Sequence, residues 1–126
     1  MNKHELKDRT KQFAHECIKL VALLPKNSIY HHLGNQLMRS ATSVAANYRA
    51  ACMAQSKASF ISKLSIVVEE ADESAFWLEF IMDENNIEKE MIIHLLMEAQ
   101  ELTKIFVSSR KTASERNRKS SIINHK

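Results

Sequence analysis

The sequence predicts an all-α protein, an antiparallel up-down-up-down four-helix bundle with a short basic C-terminal tail. Among its 126 residues, Gly34 is the one glycine and Pro25 the one proline, whereas a β-rich fold of this size needs many tight turns built on such residues. Apolar residues recur at helical spacing in four segments. Because the connections between these segments are short, successive helices must run antiparallel.

Proline and capping residues delimit the first two helices. The first is predicted over about residues 3–24, and Pro25 ends it because the residue before a proline resists the helical conformation. The second is predicted over about residues 30–54, with Asn27 and Ser28 as caps. Beside its apolar stripe runs a stripe of small and polar side chains, which lets another helix approach closely. This second stripe consists of Gln36, Ser40, Ser43, Asn47, Ala50 and Ala54.

The third helix is predicted over about residues 57–85, after a cap at Ser56, and the fourth over about residues 88–109, after a turn at residues 85–86. A face of the third helix away from its core stripe carries Phe76, Trp77 and Phe80. One bundle core can rarely bury two faces of a helix, and aromatic residues are enriched at interface centres. We therefore expect an oligomer interface there, with burial in the core as the alternative.

Charge is segregated along the chain. The 18 Lys and Arg against 15 Asp and Glu give a net charge of +3. Residues 27–68 hold four basic residues and no acidic one, whereas residues 69–101 hold 11 acidic residues and one basic residue. The two blocks either pair with each other, within or between subunits, or remain solvated. From about residue 108 the sequence is basic and lacks apolar periodicity, so we divide it into a bundle at 1–109 and a basic flexible tail at 110–126.

Several classes of function are excluded by composition. One glycine is too few for a P-loop or a dinucleotide-binding fingerprint. The longest apolar stretches are about five residues, whereas a membrane span needs about 20. The N-terminus leads into no apolar signal region, so we expect a cytoplasmic protein. Cys17 and Cys52 are expected to be reduced core thiols.

Catalytic and metal-binding patterns are weak. A Glu-x-x-His motif, typical of di-iron bundles, is absent. One side of the fourth helix carries a stripe that we interpret as solvated rather than metal-binding: Glu90, His94, Glu98 and Glu101. The third helix carries a crowded set of carboxylates, which more often face basic partners or water than perform acid–base catalysis: Glu69, Glu70, Asp72 and Glu73. We expect no enzyme, no catalytic residue, no metal and no cofactor.

Several segments of the sequence match the pattern of a known family. The most specific is Arg-Ser-Ala-Thr-Ser-Val-Ala-Ala-Asn-Tyr-Arg at residues 39–49, and residues 24–26, 36–38, 60–64, 70–74, 77–79 and 98–102 also fit. Together these segments resemble the four-helix-bundle family of 23S rRNA intervening-sequence-encoded proteins. The resemblance covers roughly residues 10–110. One departure is Ala50, where the family usually has a glutamate, so any salt bridge made by that glutamate is missing here.

The resemblance implies a small cytoplasmic bundle that assembles as a ring-shaped pentamer and is not an enzyme. Members are suspected of binding RNA. A related group, the accessory variability determinants of diversity-generating retroelements, works beside a reverse transcriptase. The resemblance therefore implies two kinds of partner besides the protein itself: nucleic acid, either RNA or DNA, and a protein such as a reverse transcriptase.

Two function hypotheses follow. The leading one is a non-enzymatic homo-oligomer that associates with nucleic acid through phosphate contacts, which give affinity without sequence specificity. The candidate contacts are Arg39, Arg49, Arg110, Lys111, Arg116, Arg118 and Lys119. The alternative is a scaffold or adaptor that recruits a protein partner. For the tail, a purely solubilising role is a further interpretation.

Overall fold

The computed structural model describes residues 1–84 and 89–124, and within them it contains four helices and no strand. These are α1 (Lys3–Ala22), α2 (Ser28–Cys52), α3 (Lys57–Glu84) and α4 (Lys89–Asn124). Each helix packs against the next along the chain, and α4 also contacts α1. The predicted all-α four-helix fold is confirmed. The turn expected at residues 85–86 and the expected start of the fourth helix at residue 88 lie outside the described residues.

Side-chain caps begin the first three helices. Asn2 accepts a hydrogen bond from the Glu5 amide, and Asn27 accepts one from the Tyr30 amide. The Ser56 hydroxyl accepts from the Ser59 amide at 3.1 Å. Caps of this kind contribute about 1 kcal/mol each, because they satisfy amides that have no partner inside the helix. The predicted caps at Asn27 and Ser56 are confirmed.

The core is built from the apolar stripes of all four helices. Its largest fully buried side chains include Phe13, Leu37, Leu64, Leu78 and Phe106. The rings of Tyr48 on α2 and Phe106 on α4 meet with their centroids 4.9 Å apart. Burying each such side chain contributes about 1.5–3 kcal/mol, so this core is the main source of stability.

Small residues bring α2 close to both of its neighbours. A methyl group built on Gly34 would lie 2.8 Å from Val21 Cγ1 of α1, so glycine is what permits this approach. Toward α3, the buried Ser40 and Ser74 hydroxyls lie 2.9 Å apart, within hydrogen-bonding distance. Ser40 of the small and polar stripe therefore packs against α3.

The fourth helix is longer than the sequence pattern indicates. It continues to Asn124, so the expected end at residue 109 is wrong. Residues 110–124 contain no glycine or proline to end the helix, and their Arg, Lys, Glu and Ala residues are good helix formers. Ala113 is also buried, which anchors the first turn of this extension. The division at residue 109 and the flexibility of the tail stay predictions.

Candidate functional site

The antiparallel fold sorts the charge blocks of the sequence along the bundle axis. The basic half, residues 3–12, 41–68 and 101–124, carries 13 Lys and Arg against four Asp and Glu. The acidic half, residues 13–40, 69–84 and 89–100, carries four Lys and Arg against ten Asp and Glu. Contacts between helices fix this alignment: Lys3 lies over the Phe60 ring in the basic half, and His32 contacts Trp77 in the acidic half. The net charge of +3 is therefore the sum of two oppositely charged ends.

Arg9 joins the two halves between α1 and α4. Its Nε and Nη2 atoms donate to the two carboxylate oxygens of Glu98 at 2.8 and 2.7 Å, and Nη2 lies 3.0 Å from Glu101. These carboxylates, Glu98 first, raise the pKa of the Arg9 guanidinium. Two carboxylates of the fourth-helix stripe predicted to be solvated, Glu98 and Glu101, are thus partners of an arginine on the first helix.

Arg39 joins α2 to α3 in the same way. Its guanidinium lies 3.2 Å from Glu70 and also pairs with Glu73. Within the crowded carboxylate set, Glu70 and Glu73 therefore face a basic partner, whereas Glu69 and Asp72 are exposed. Because Arg39 already binds two carboxylates, a phosphate would have to displace them. Its role as a phosphate contact stays a prediction.

The other six candidate cations all lie in the basic half. Arg49 is exposed in the last turn of α2. The remaining five lie on the final turns of α4, and all but the half-buried Arg110 are exposed: Arg110, Lys111, Arg116, Arg118 and Lys119. None of the six forms an ion pair with a residue that the structure describes. The fold thus brings six of the seven predicted contacts together and separates Arg39 from them.

The aromatic residues of α3 form an exposed patch in the acidic half. Phe76 and Phe80 are 48% and 43% exposed, and their ring centroids lie 5.3 Å apart. Trp77 is half-buried and contacts both rings at 5.0 and 6.0 Å. On its other side it meets the His32 ring of α2 edge-on at 6.0 Å. The bundle core leaves this second apolar face uncovered, and its role as an oligomer interface stays a prediction.

The two cysteines differ in burial. Cys17 and Cys52 are both free thiols, the first fully buried and the second half-buried. Burial raises the pKa of Cys17, which makes it a poor nucleophile. In residues 1–84 and 89–124, no group of three His, Cys, Asp or Glu side chains is placed to hold a metal ion.

No helix in the described part of the chain combines the length and the apolar character that crossing a bilayer requires.

Sequence reasoning missed Arg9, Lys3 and Lys57. Lys3 and Lys57 line a cavity at the end of the basic half. Both are ordinary exposed lysines in the sequence, and only the packing of three helix ends places them side by side. The lack of any acidic residue between 27 and 68 was the one signal that pointed to this end.

The fold and the site together define a class: an antiparallel four-helix bundle whose opposite ends carry opposite charge. The family model described as 23S rRNA-intervening sequence protein matches residues 2–108. A crystal structure of a protein of unknown function from the S23 ribosomal protein family, from Bacteroides thetaiotaomicron, is 33% identical. It superposes with a TM-score of 0.80 over 88% of this chain and 99% of that chain. No curated protein matches the sequence. The chain belongs to the family of 23S rRNA-intervening sequence proteins.

Proposed function

We propose that the protein is a non-enzymatic homo-oligomer that associates with RNA through its basic half. The observation that carries this proposal is the separation of charge along the bundle axis. Six of the seven candidate phosphate contacts lie in the basic half and have no carboxylate partner among the described residues. Such a surface attracts a polyanion and releases counterions when it binds.

The surface favours affinity over sequence reading. Residues 107–124 contain no aromatic side chain on which an unpaired base could stack. Five of the six cations lie on α4 between residues 110 and 119. Contacts from such residues to a phosphate backbone carry no sequence information directly. The family description names the 23S rRNA intervening sequence, so fragments of this rRNA are the first ligands to test.

The test of RNA association is a binding titration across a salt series with structured rRNA fragments. Six phosphate contacts predict that log affinity falls by about 4 to 5 for each unit of log salt concentration. A duplex DNA of equal length is titrated in parallel, which shows whether the protein binds RNA more tightly than DNA. If the intact oligomer does not bind RNA at low salt, the proposal fails.

Assembly is proposed to bury the aromatic patch of α3. A fully covered aromatic side chain buries about 150–250 Å². Because Phe76 and Phe80 are exposed, they leave apolar area that a second copy of the chain can cover. Five subunits is the number that the family resemblance implies. Native mass measurement should show an oligomer for the wild type and a smaller species for Phe76→Ser/Phe80→Ser. Met97→Ser, at an exposed apolar residue on α4, is the matched control and should leave the mass unchanged.

A second candidate function is supported by the acidic half. Five carboxylates are exposed on α3 around the aromatic patch, a surface suited to a basic protein: Glu69, Asp72, Glu79, Asp83 and Glu84. In this reading the protein is an adaptor that recruits a protein partner such as a reverse transcriptase. A pull-down of a stoichiometric basic protein that survives nuclease treatment would favour the adaptor, whereas loss of all partners after nuclease treatment would favour the RNA association.

A further inference from the structure

A cavity of about 620 Å³ opens at the end of the basic half. The connection between α2 and α3 forms one wall, the first turn of α1 another, and residues 108–116 of α4 the third. Its volume is in the range of small-molecule sites. Part of this lining follows residue 108, where the match to the family model ends.

Three cations from separate segments converge on this cavity. Lys3 comes from α1, Lys57 from the start of α3 and Arg116 from the C-terminal part of α4. No carboxylate is among the described residues that line it. Like charges brought together repel each other, and a bound anion removes that repulsion. The cavity therefore has the electrostatic character of an anion site.

The lining also offers contacts beyond charge. The Lys3 ammonium lies 5.0 Å from the centroid of the Phe60 ring, which holds it at the cavity wall. The hydroxyl groups of Ser109 and Thr112 line the cavity and make no hydrogen bond to any residue within the described ranges. Cations and hydroxyl donors around an apolar wall are the groups that bind a phosphate together with part of its organic substituent.

We infer that this cavity binds a phosphate group carried by a nucleotide unit. Lys3, Lys57 and Arg116 neutralise the phosphate, and the hydroxyl groups donate to its oxygens. The phosphate belongs either to an RNA strand or to a free mononucleotide. In the first case the inference deepens the proposed function and rests on it. Lys3 and Lys57 are then phosphate contacts additional to those on α2 and α4.

Cys52 is a reporter for this site. It lines the cavity and is half-buried, whereas Cys17 is fully buried and should not react in the folded protein. The experiment measures the alkylation rate of Cys52 in the full-length protein by mass spectrometry. Inorganic phosphate, adenosine monophosphate and a short RNA are added in turn at constant ionic strength, with adenosine as the control that lacks phosphate.

A bound phosphate ligand should slow the alkylation of Cys52 about tenfold at ten times its dissociation constant, by mass action. Adenosine should give no protection. The variant Lys3→Gln/Lys57→Gln/Arg116→Gln should lose the protection, which is measured relative to the variant's own unliganded alkylation rate. The control variant Lys19→Gln/Lys26→Gln/Lys89→Gln lacks three exposed cations of the acidic half. In this control, the phosphate ligand should still protect Cys52.

The ligand that protects identifies the source of the phosphate. Protection by RNA but not by the mononucleotide assigns the site to a strand, and the reverse result assigns it to a free nucleotide. The inference is overturned if none of the three ligands protects Cys52, or if the three-lysine control loses protection as the cavity variant does. RNA that binds while none of the three ligands protects Cys52 overturns this inference alone, whereas RNA that never binds overturns the proposed function.

Discussion

The two halves of the bundle share four helices and one core but differ in what they present to a partner. The basic half has cations without carboxylate partners and a cavity where three of its cations converge. The acidic half has exposed carboxylates and an uncovered aromatic patch. An antiparallel bundle places residue blocks that are distant in sequence at the same end. The charge blocks of the chain thereby produce a molecule with a basic end and an acidic end, which we propose meet a polyanion and a protein respectively.

Near the boundary between the halves, two arginines form ion pairs with carboxylates of other helices. Arg9 of the basic half pairs with Glu98 of the acidic half, and Arg39 pairs with Glu70 and Glu73 across α2 and α3. Carboxylates of the same chain neutralise both arginines. The exposed cations of the basic half are different, because no described carboxylate neutralises them. In this fold, the basic residues that remain available to a ligand are those without a described carboxylate partner.

The largest expected effect comes from a variant that disrupts assembly and leaves the cavity of the basic half unchanged. Phe76→Ser/Phe80→Ser should lower RNA affinity about 100-fold, because a dissociated subunit loses the avidity of several basic ends. Mononucleotide protection of Cys52 should stay unchanged, since the cavity lies at the other end. Titrations of RNA and of the mononucleotide with the same preparation check both results. If the variant loses both RNA binding and the mononucleotide protection of Cys52, the two halves are not independent.

Removal of the Arg9 contact should be the largest effect on stability. Arg9→Gln should lower the free energy of unfolding by about 2 kcal/mol, because it breaks charge-assisted hydrogen bonds in a partly buried site. Urea denaturation measures the change, and Lys11→Gln, at an exposed residue on the same helix, should change it by less than about 0.5 kcal/mol. If Arg9→Gln and Glu98→Gln are additive in a double-mutant cycle, the pair does not couple the halves.

Alkaline pH tests one buried group in each half. Burial raises the pKa of Cys17 in the acidic half, and burial followed by a hydrogen bond with Cys52 raises the pKa of Tyr48 in the basic half. Both groups stay protonated in the folded protein, whereas the unfolded chain ionises above about pH 8.5 for Cys and about pH 10 for Tyr. The stability they contribute is therefore present below those values and is lost as pH rises.

The free energy of unfolding should fall by about 1.4 kcal/mol per pH unit for each group that ionises only when unfolded. Denaturation curves between about pH 8 and 11 measure the slope. Cys17→Ala should remove the earlier step and Tyr48→Phe the later one, after correction for their stability at neutral pH. A stability that does not change over this range would contradict the burial of both groups.

The smallest effect concerns the close approach of α1 and α2 in the acidic half. A methyl group at residue 34 overlaps Val21, so Gly34→Ala should destabilise the protein by about 1 kcal/mol despite the better helix propensity of alanine. With Val21→Ala as the background, the same substitution should instead stabilise by about 1 kcal/mol. Thermal unfolding of the four proteins measures this reversal of sign. If the sign is the same in both backgrounds, the overlap is not what selects glycine.

Local sequence signals predicted the fold because its helices are set by local physics. Pro25 and Asn27 mark the first connection, and helical spacing identifies the apolar stripes that became the core. The end of α4 was missed because, among residues 110–122, Ala113 is the one buried residue, so this segment has no apolar periodicity. A helix that is polar on nearly all sides gives no such signal.

The candidate site was predicted less completely because it depends on contacts between helices. Composition showed which residues are basic but not which of them have carboxylate partners. Arg39 and Glu70 are 31 residues apart, and Arg9 and Glu98 are 89 apart, so no local pattern joins them. The convergence of Lys3, Lys57 and Arg116 depends on the first turns of α1 and α3 meeting α4, which periodicity alone does not determine.

The central claim, that the basic half and not the acidic half binds RNA, is tested most directly by matched salt slopes. Arg49→Gln/Arg118→Gln/Lys119→Gln and Lys19→Gln/Lys26→Gln/Lys89→Gln each remove three exposed cations, from the basic and the acidic half respectively. The slope of log affinity against log salt should become shallower by about 2 to 3 for the first variant. For the second it should stay at the wild-type value. Equal slopes for the two variants would contradict the account.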